Sequence, residues 1–175
     1  FENKVIKVVE EDETLMPILH NTSTGVALDN LKAVLDNYLK LDFDILIFDR
    51  LYFTHIFRTN SIIGDFKEIE DILNQFDCSL VFLKIDENEI LKRIQGAMEH
   101  REESWVKYVK CKGSFQDIER YYINQQRELE KLVKHSELET HIVNSTKNNY
   151  EEVVEEIIEK FAKVFKVAKR VYLDE

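Results

Sequence analysis

The sequence predicts an α/β fold in which a parallel sheet is flanked by helices on both faces. Two stretches, ILIF at 45–48 and LVFL at 80–83, are apolar without alternation. Continuous runs of this kind are typical of parallel strands that helices cover on both sides. Amphipathic helical segments separate the strand-like runs, as parallel connections require. We therefore expect one α/β domain over residues 1–175.

Four segments have the composition of strands, because they are rich in β-branched or aromatic residues and end in polar ones. In chain order they are KVIKVVEE (4–11), LDFDILIF (41–48), CSLVFLKID (78–86) and THIVNST (140–146). Ligands of open parallel sheets gather at the carboxyl ends of the strands. We therefore expect the polar residues that follow the strands to share one edge: Glu10-Glu11, Asp49-Arg50, Lys84-Asp86 and Asn144-Ser145.

The connecting helices are predicted from apolar residues at helical spacing. The pattern covers 25–40, 65–76, 87–98, 114–135 and 149–166, and aromatic residues predict a further helix over 51–59. Residues 12–24 contain the only proline and a polar cluster, which predicts a loop or a short helix. Residues 99–115 are charged and aromatic, and we expect a lid-like segment at about 92–113.

Composition narrows the class of protein. The formal net charge is −10 without a clustered run of Lys or Arg, which argues against binding of duplex nucleic acid. The apolar runs are far shorter than the roughly 20 residues of a spanning helix, and a signal-peptide pattern is lacking. We expect a soluble, cytoplasmic protein. Two cysteines far apart and five isolated histidines predict neither a disulfide framework nor a zinc site.

The pair Asp49-Arg50 leaves a buried strand at the expected ligand edge. Arginine offers a planar fork that suits phosphate oxygens. An aspartate at this place can orient the arginine, hold a metal-bound water or accept a proton, and Glu10 or Glu11 on the neighbouring strand can serve as the base. The alternative is that all four are strand-end polar residues that meet solvent.

A second group of candidates lies in KRIQGAMEHREESWVK, residues 92–107. Five residues that carry or can accept a positive charge alternate there with three glutamates: Lys92, Arg93, His100, Arg101 and Lys107. A mobile basic segment can close over a polyphosphate and neutralise the charge that develops in phosphoryl transfer. The alternative is a solvated helix face held by ion pairs between successive turns.

Several of these stretches together resemble the P-loop nucleoside and nucleoside-monophosphate kinases, particularly thymidylate kinase and the deoxynucleoside kinases. IFDRLYFTHIF resembles the family's third strand with its acid-arginine pair and the helix that follows. LVFLKIDENEILKRI resembles the next strand and helix, and EHREES resembles the arginine-rich lid. FQDIERYYINQQRELEKL with THIVNST resembles the late helix and last strand. The resemblance covers most of the chain.

The resemblance implies a phosphotransferase that uses ATP and Mg²⁺, with a nucleoside or nucleoside monophosphate as acceptor. It implies catalytic roles for Glu10 as general base, for Asp49 near the metal and for Arg50 at the acceptor. Arg93 and Arg101 would contact the phosphates of the donor. A homodimer through the helix at 26–40 or at 65–76 would also suit the family.

The family's phosphate-binding loop, G-x-x-x-x-G-K-[ST], is not present among the 175 residues. Two interpretations follow. Either an upstream strand, loop and helix are missing from this chain, which we favour, or the chain is a divergent binding or regulatory module without catalysis. A kinase of the same fold that acts on a non-nucleoside alcohol is a further alternative, and the acceptor itself is not predicted.

Overall fold

The computed structural model describes residues 4–147 and 149–171, with side chains up to residue 161. Helices and strands follow one another in the predicted order, which confirms the α/β class. The strands are β1 (Ile6–Val9), β2 (Ile45–Phe48), β3 (Ser79–Lys84) and β4 (Glu139–Asn144). The helices are α1 (Glu11–Leu15), α2 (Thr24–Leu39), α3 (Phe53–Thr59), α4 (Lys67–Asn74), α5 (Glu87–Met98), α6 (Glu103–Lys110), α7 (Phe115–Lys134) and α8 (Tyr150–Val171).

The strands of the described residues pair into two sheets of two strands each. β1 and β2 are parallel, with partners from Ile6 and Ile45 to Val9 and Phe48. In the other sheet, the N–H of Ser145 after β4 donates to the carbonyl of Lys84 at the end of β3, at 2.8 Å. Both strands of that pair therefore end on the same side, and they too are parallel.

The structure adds detail where the sequence pattern was weak. Residues 12–24 contain most of α1 and a 3₁₀ turn at Met16–Ile18, which has Pro17 where the missing N–H costs nothing. The segment 99–115 contains α6, which was not predicted as a helix. The apolar side of α6 is narrow, because only Val106 and Val109 supply aliphatic side chains there.

Residues Phe1–Cys78 and His135–Glu139 form the first of two compact units. Its core is built on the helical spacing of α2, which buries Ala27, Leu31, Val34 and Leu35. Burial of each large aliphatic side chain contributes about 1.5–3 kcal/mol. The prediction of a single domain stays a prediction, since compact units of this size also occur inside one domain.

A buried carboxylate joins the segment at 135–139 to the rest of the first unit. Glu70 on α4 is 2% exposed. It accepts hydrogen bonds from the hydroxyl of Tyr52, from Ser136 Oγ at 2.6 Å and from the N–H of Glu137 at 3.0 Å. Three donors compensate this carboxylate for the water it has lost.

Residues Ser79–Lys134 and Thr140–Glu175 form the second unit. Among the residues described, its core contains Ile90, Val109, Ile118, Val133, Val143 and Val153. The amide of Gln126 on α7 pairs with both backbone groups of Ile85, at 2.9 and 2.8 Å. α7 is thereby fixed against the turn between β3 and α5. No helix in the described ranges is both long enough and apolar enough to cross a membrane.

Candidate functional site

The carboxyl ends of β1 and β2 bring three of the predicted site residues to one edge of the sheet. The strands run in register up to Val9 and Phe48, and the N–H of Asp49 then donates to the carbonyl of Val9 at 2.9 Å. Glu10 directly follows Val9, and Arg50 follows Asp49. The structure therefore places Glu10, Asp49 and Arg50 at the end of the same strand pair.

Arg50 has an unusual backbone conformation. Its φ is 56°, in the left-handed region that glycine adopts without strain and other residues adopt at a cost. Its side chain is 66% exposed, and Nη1 donates to Glu11 Oε2 at 3.3 Å. A strained residue persists only where the surrounding structure maintains its conformation, and such residues are frequent in functional sites.

Glu11, the first residue of α1, is the acid that contacts Arg50. Its other carboxylate oxygen, Oε1, accepts a hydrogen bond from Thr54 Oγ1 at 3.1 Å. Thr54 lies on α3, so three segments of the first unit meet at this carboxylate. The sequence left the choice between Glu10 and Glu11 open, and it did not single out Thr54. A hydroxyl four positions after Arg50 was the available signal.

Glu10 has a different set of contacts. It is the N-cap of α1, where its backbone carbonyl accepts from the N–H of Glu13 at 3.0 Å and its own N–H donates to Glu13 Oε1 at 3.2 Å. Glu13 also accepts a hydrogen bond from the hydroxyl of Tyr38 and pairs with Lys7 at 3.3 Å. These contacts lower the pKa of Glu13, with the Tyr38 hydroxyl as the largest cause. Glu10 is thus engaged in starting α1.

Asp49 is exposed, and within the described residues no hydrogen bond or ion pair engages its carboxylate. The described part of the chain also has no group of three or more His, Cys, Asp or Glu residues that could hold a metal ion. Proteins that bind Mg²⁺ with a nucleotide supply one or two carboxylates, and the phosphates supply further ligands. The Asp49 carboxylate fits that limited role.

His55, the residue after Thr54, is completely buried. Neither nitrogen of its ring has a hydrogen-bond partner among the described residues. Burial, and secondarily the positive charge of Arg58, lower the pKa of His55 to about 4. The imidazole is therefore neutral at physiological pH, and the isolated position of this histidine in the sequence did not indicate its burial.

Arg93 belongs to the second unit and makes contacts inside it. Nη2 donates to the carbonyl of Ser145 at 2.7 Å and to that of Thr146 at 3.3 Å, and Nη1 lies 3.3 Å from the hydroxyl of Tyr150. The guanidinium therefore attaches α5 to the loop after β4. A role at donor phosphates would require at least part of this set to be exchanged.

Arg101 follows α5 in the predicted lid-like segment. Its guanidinium carbon lies 5.8 Å from the centroid of the Trp105 ring, a cation–π distance. No carboxylate within the described residues forms an ion pair with it. Arg101 is thus the predicted lid arginine whose hydrogen-bonding groups are available to a ligand.

Charge is divided unequally between the two units. The first unit has seventeen acidic and seven basic residues, whereas the second has seventeen of each. The net charge of −10 therefore belongs to the first unit. Arg50 supplies a positive charge to an edge that is rich in carboxylates.

Comparisons of the chain with protein-family models, with curated proteins and with solved structures return no significant match.

Proposed function

We propose that this protein acts in transfer of the ATP γ-phosphoryl group to a nucleoside, a nucleoside monophosphate or a similar small hydroxyl acceptor. The fold we propose is that of the P-loop kinases. The observation that carries the proposal is the cluster of Glu11, Asp49, Arg50 and Thr54 at one strand edge. The resemblance implies two parallel strands, of which one ends in an acid and the other in an acid-arginine pair. A helix that carries an aromatic or hydroxyl residue follows the pair.

Each residue of the cluster has a role that its contacts support. Glu11 is the general base for the acceptor hydroxyl, since Thr54 holds one oxygen and the other faces Arg50. Arg50 binds anionic oxygens of the acceptor, and the carboxylate of Asp49 would help to hold a Mg²⁺ ion brought by the nucleotide, which would neutralise phosphate charge. ATP with Mg²⁺ supplies the phosphoryl group. Catalysis is mainly positioning and charge neutralisation.

Acceptor binding is tested by titrating this chain with a panel of nucleosides and nucleoside monophosphates, with isothermal calorimetry as the readout. Loss of a charge-assisted hydrogen bond costs about 1.5–3 kcal/mol, so Arg50→Ala should weaken monophosphate binding about tenfold or more. Lys32→Ala is the matched control, because Lys32 is a surface residue of the same unit and pairs with Glu68 at 2.7 Å. Equal weakening by both variants would show that Arg50 has no specific role.

Turnover is tested with the product of the whole gene, because the 175 residues contain no G-x-x-x-x-G-K-[ST] loop. Glu11→Gln should lower kcat about 10²–10⁴-fold if it removes the general base. Glu10→Gln changes the adjacent residue by the same chemistry and should leave kcat within a few-fold of the parent. Absence of ATP turnover with every acceptor of the panel contradicts the proposed reaction.

The second candidate function is a binding or regulatory module without catalysis. The contacts of Arg93 favour this function. The guanidinium of Arg93 donates to backbone carbonyls, and contact with donor phosphates would require at least part of these hydrogen bonds to be exchanged. This function predicts acceptor binding without turnover in the whole gene product. A homodimer through α2 or α4 stays a prediction, which sedimentation equilibrium tests directly.

A further inference from the structure

The second unit carries a line of cationic and aromatic side chains, Arg101, Trp105, Tyr108 and Lys112, which we call the aromatic-cation stripe. The four residues are spaced four, three and four positions apart. Such spacing places residues on one face of a helix, and α6 forms the middle of the stripe. Tyr108 is 49% exposed, so this face is open to solvent rather than part of the core.

The cations of the stripe lie against aromatic rings. Lys112 Nζ is 4.0 Å from the ring centroid of Tyr108 and 4.3 Å from that of Tyr121 on α7. The two tyrosine oxygens are 3.2 Å apart, so the ammonium group contacts two rings whose hydroxyls are within hydrogen-bond distance of each other. Together with the Arg101–Trp105 contact, these interactions give a preorganised surface of rings and positive charge.

The stripe has a local excess of positive charge. Residues 101–112 contain four basic and two acidic residues. Lys107 pairs with Glu103 at 2.8 Å. Within the described residues, no carboxylate pairs with the other three basic residues of this segment: Arg101, Lys110 and Lys112. A ligand that carries both anionic groups and flat rings would satisfy the cations and the exposed aromatic faces together.

We propose that the aromatic-cation stripe binds single-stranded nucleic acid. Phosphates contact Arg101 and Lys112, and successive bases stack on Trp105 and Tyr108. The two aromatic residues are three positions apart, about 4.5 Å along a helix axis, so they can receive more than one base of the same strand. An acidic peptide offers the charges without the rings, and a duplex keeps the faces of its bases stacked inside.

Trp105 is the only tryptophan of the chain and therefore reports on its own surface. The experiment titrates the whole chain with a single-stranded oligonucleotide of about 12 nucleotides and follows both tryptophan fluorescence and the anisotropy of a labelled strand. We expect fluorescence quenching together with binding. Two phosphate contacts predict a slope of log K against log salt of about −1.4.

The variants separate charge from stacking. Lys112→Gln should bring the salt slope to about −0.7, because one of the two phosphate contacts is lost. Tyr108→Ala should weaken binding about tenfold, whereas Tyr108→Phe keeps the ring and should bind like the parent. Lys131→Gln is the control for charge, since Lys131 lies ten positions beyond Tyr121 on α7 and pairs with Glu128 at 2.7 Å. It should leave both the affinity and the slope unchanged.

Three results would overturn the proposal. The first is no binding of the single strand at about 50 mM salt, where electrostatic contacts are strong. The second is equal binding of a duplex of the same length or of polyglutamate, which would assign the surface to another ligand. The third is loss of binding in Tyr108→Phe but not in Lys112→Gln. This result would show that neither base stacking on the Tyr108 ring nor a phosphate contact of Lys112 accounts for binding.

Discussion

Acid should destabilise the first unit through His55. The ring is completely buried, and neither nitrogen has a hydrogen-bond partner among the described residues. Burial first, and the nearby positive charge of Arg58 second, lower the pKa of His55 to about 4. In the unfolded chain an ordinary histidine has a pKa of about 6.5. The folded protein therefore binds this proton less readily than the unfolded protein does.

The sign and size of the effect follow from this difference. Above about pH 6.5 both states are neutral at His55, and the free energy of unfolding does not depend on this group. As the pH falls toward about 4, only the unfolded state gains the proton, so stability is lost throughout that window. The two pKa values give a loss of about 2 kcal/mol between pH 7 and pH 5.

Urea unfolding at about pH 7 and pH 5, followed by far-ultraviolet circular dichroism, measures this loss. His55→Leu removes the titration and should reduce the pH dependence by about 2 kcal/mol relative to the parent. It should cost little at pH 7, because the buried nitrogens have no partner to lose. His20→Gln, at an exposed histidine of the same unit, is the control. If His55→Leu retains the full pH dependence of the parent, the reasoning is refuted.

Four further substitutions test the fold by urea unfolding. Glu70→Ala leaves three donors without their buried acceptor and should lower the free energy of unfolding by about 2–4 kcal/mol. An unchanged free energy of unfolding would show that these hydrogen bonds do not stabilise the fold. Gly113→Ala should cost about 1–3 kcal/mol, because φ is 115° and the added Cβ would lie 2.9 Å from Asp117 Oδ2, whereas Gly96→Ala in α5 meets nothing within 4 Å and should stabilise by up to about 1 kcal/mol. Arg50→Gly should stabilise by about 1 kcal/mol through relief of the left-handed backbone, while it weakens monophosphate binding as Arg50→Ala does. Destabilisation would show that the Arg50 side chain contributes more than the backbone strain costs.

The fold class was predictable because the local apolar and helical patterns were strong, although none of the four side chains of β2 is fully buried as the continuous apolar run predicted. The apolar run 45–48 became β2, and residues 87–98 form α5 with the predicted bounds. In α6, by contrast, the apolar face was too narrow to outweigh the charges in the pattern. The sequence does not predict which strands pair with each other, because hydrogen bonds between distant segments are decided by tertiary packing.

The candidate site was predictable to the level of the strand end but not to the level of the contacts. Parallel pairing puts residues 10–11 and 49–50 at one edge whatever their side chains do. Which glutamate meets Arg50 depends on where α1 begins, and Glu10 is engaged there as the N-cap. Glu11 therefore presents its carboxylate to Arg50 and Thr54. This choice rests on helix capping, which the sequence Glu10-Glu11 leaves open.

The contacts of Arg50 suggest how an acceptor phosphate could enter so acidic a unit. The Arg50–Glu11 pair is 3.3 Å long with the arginine side chain 66% exposed, and pairs of this kind contribute little stability. An incoming phosphate can therefore replace Glu11 at the guanidinium at small cost. Glu11 then keeps the hydrogen bond from Thr54, which holds the carboxylate at the edge without its cationic neighbour. Under the proposed function, binding of an anionic group at Arg50 and release of Glu11 from Arg50 are thus one event.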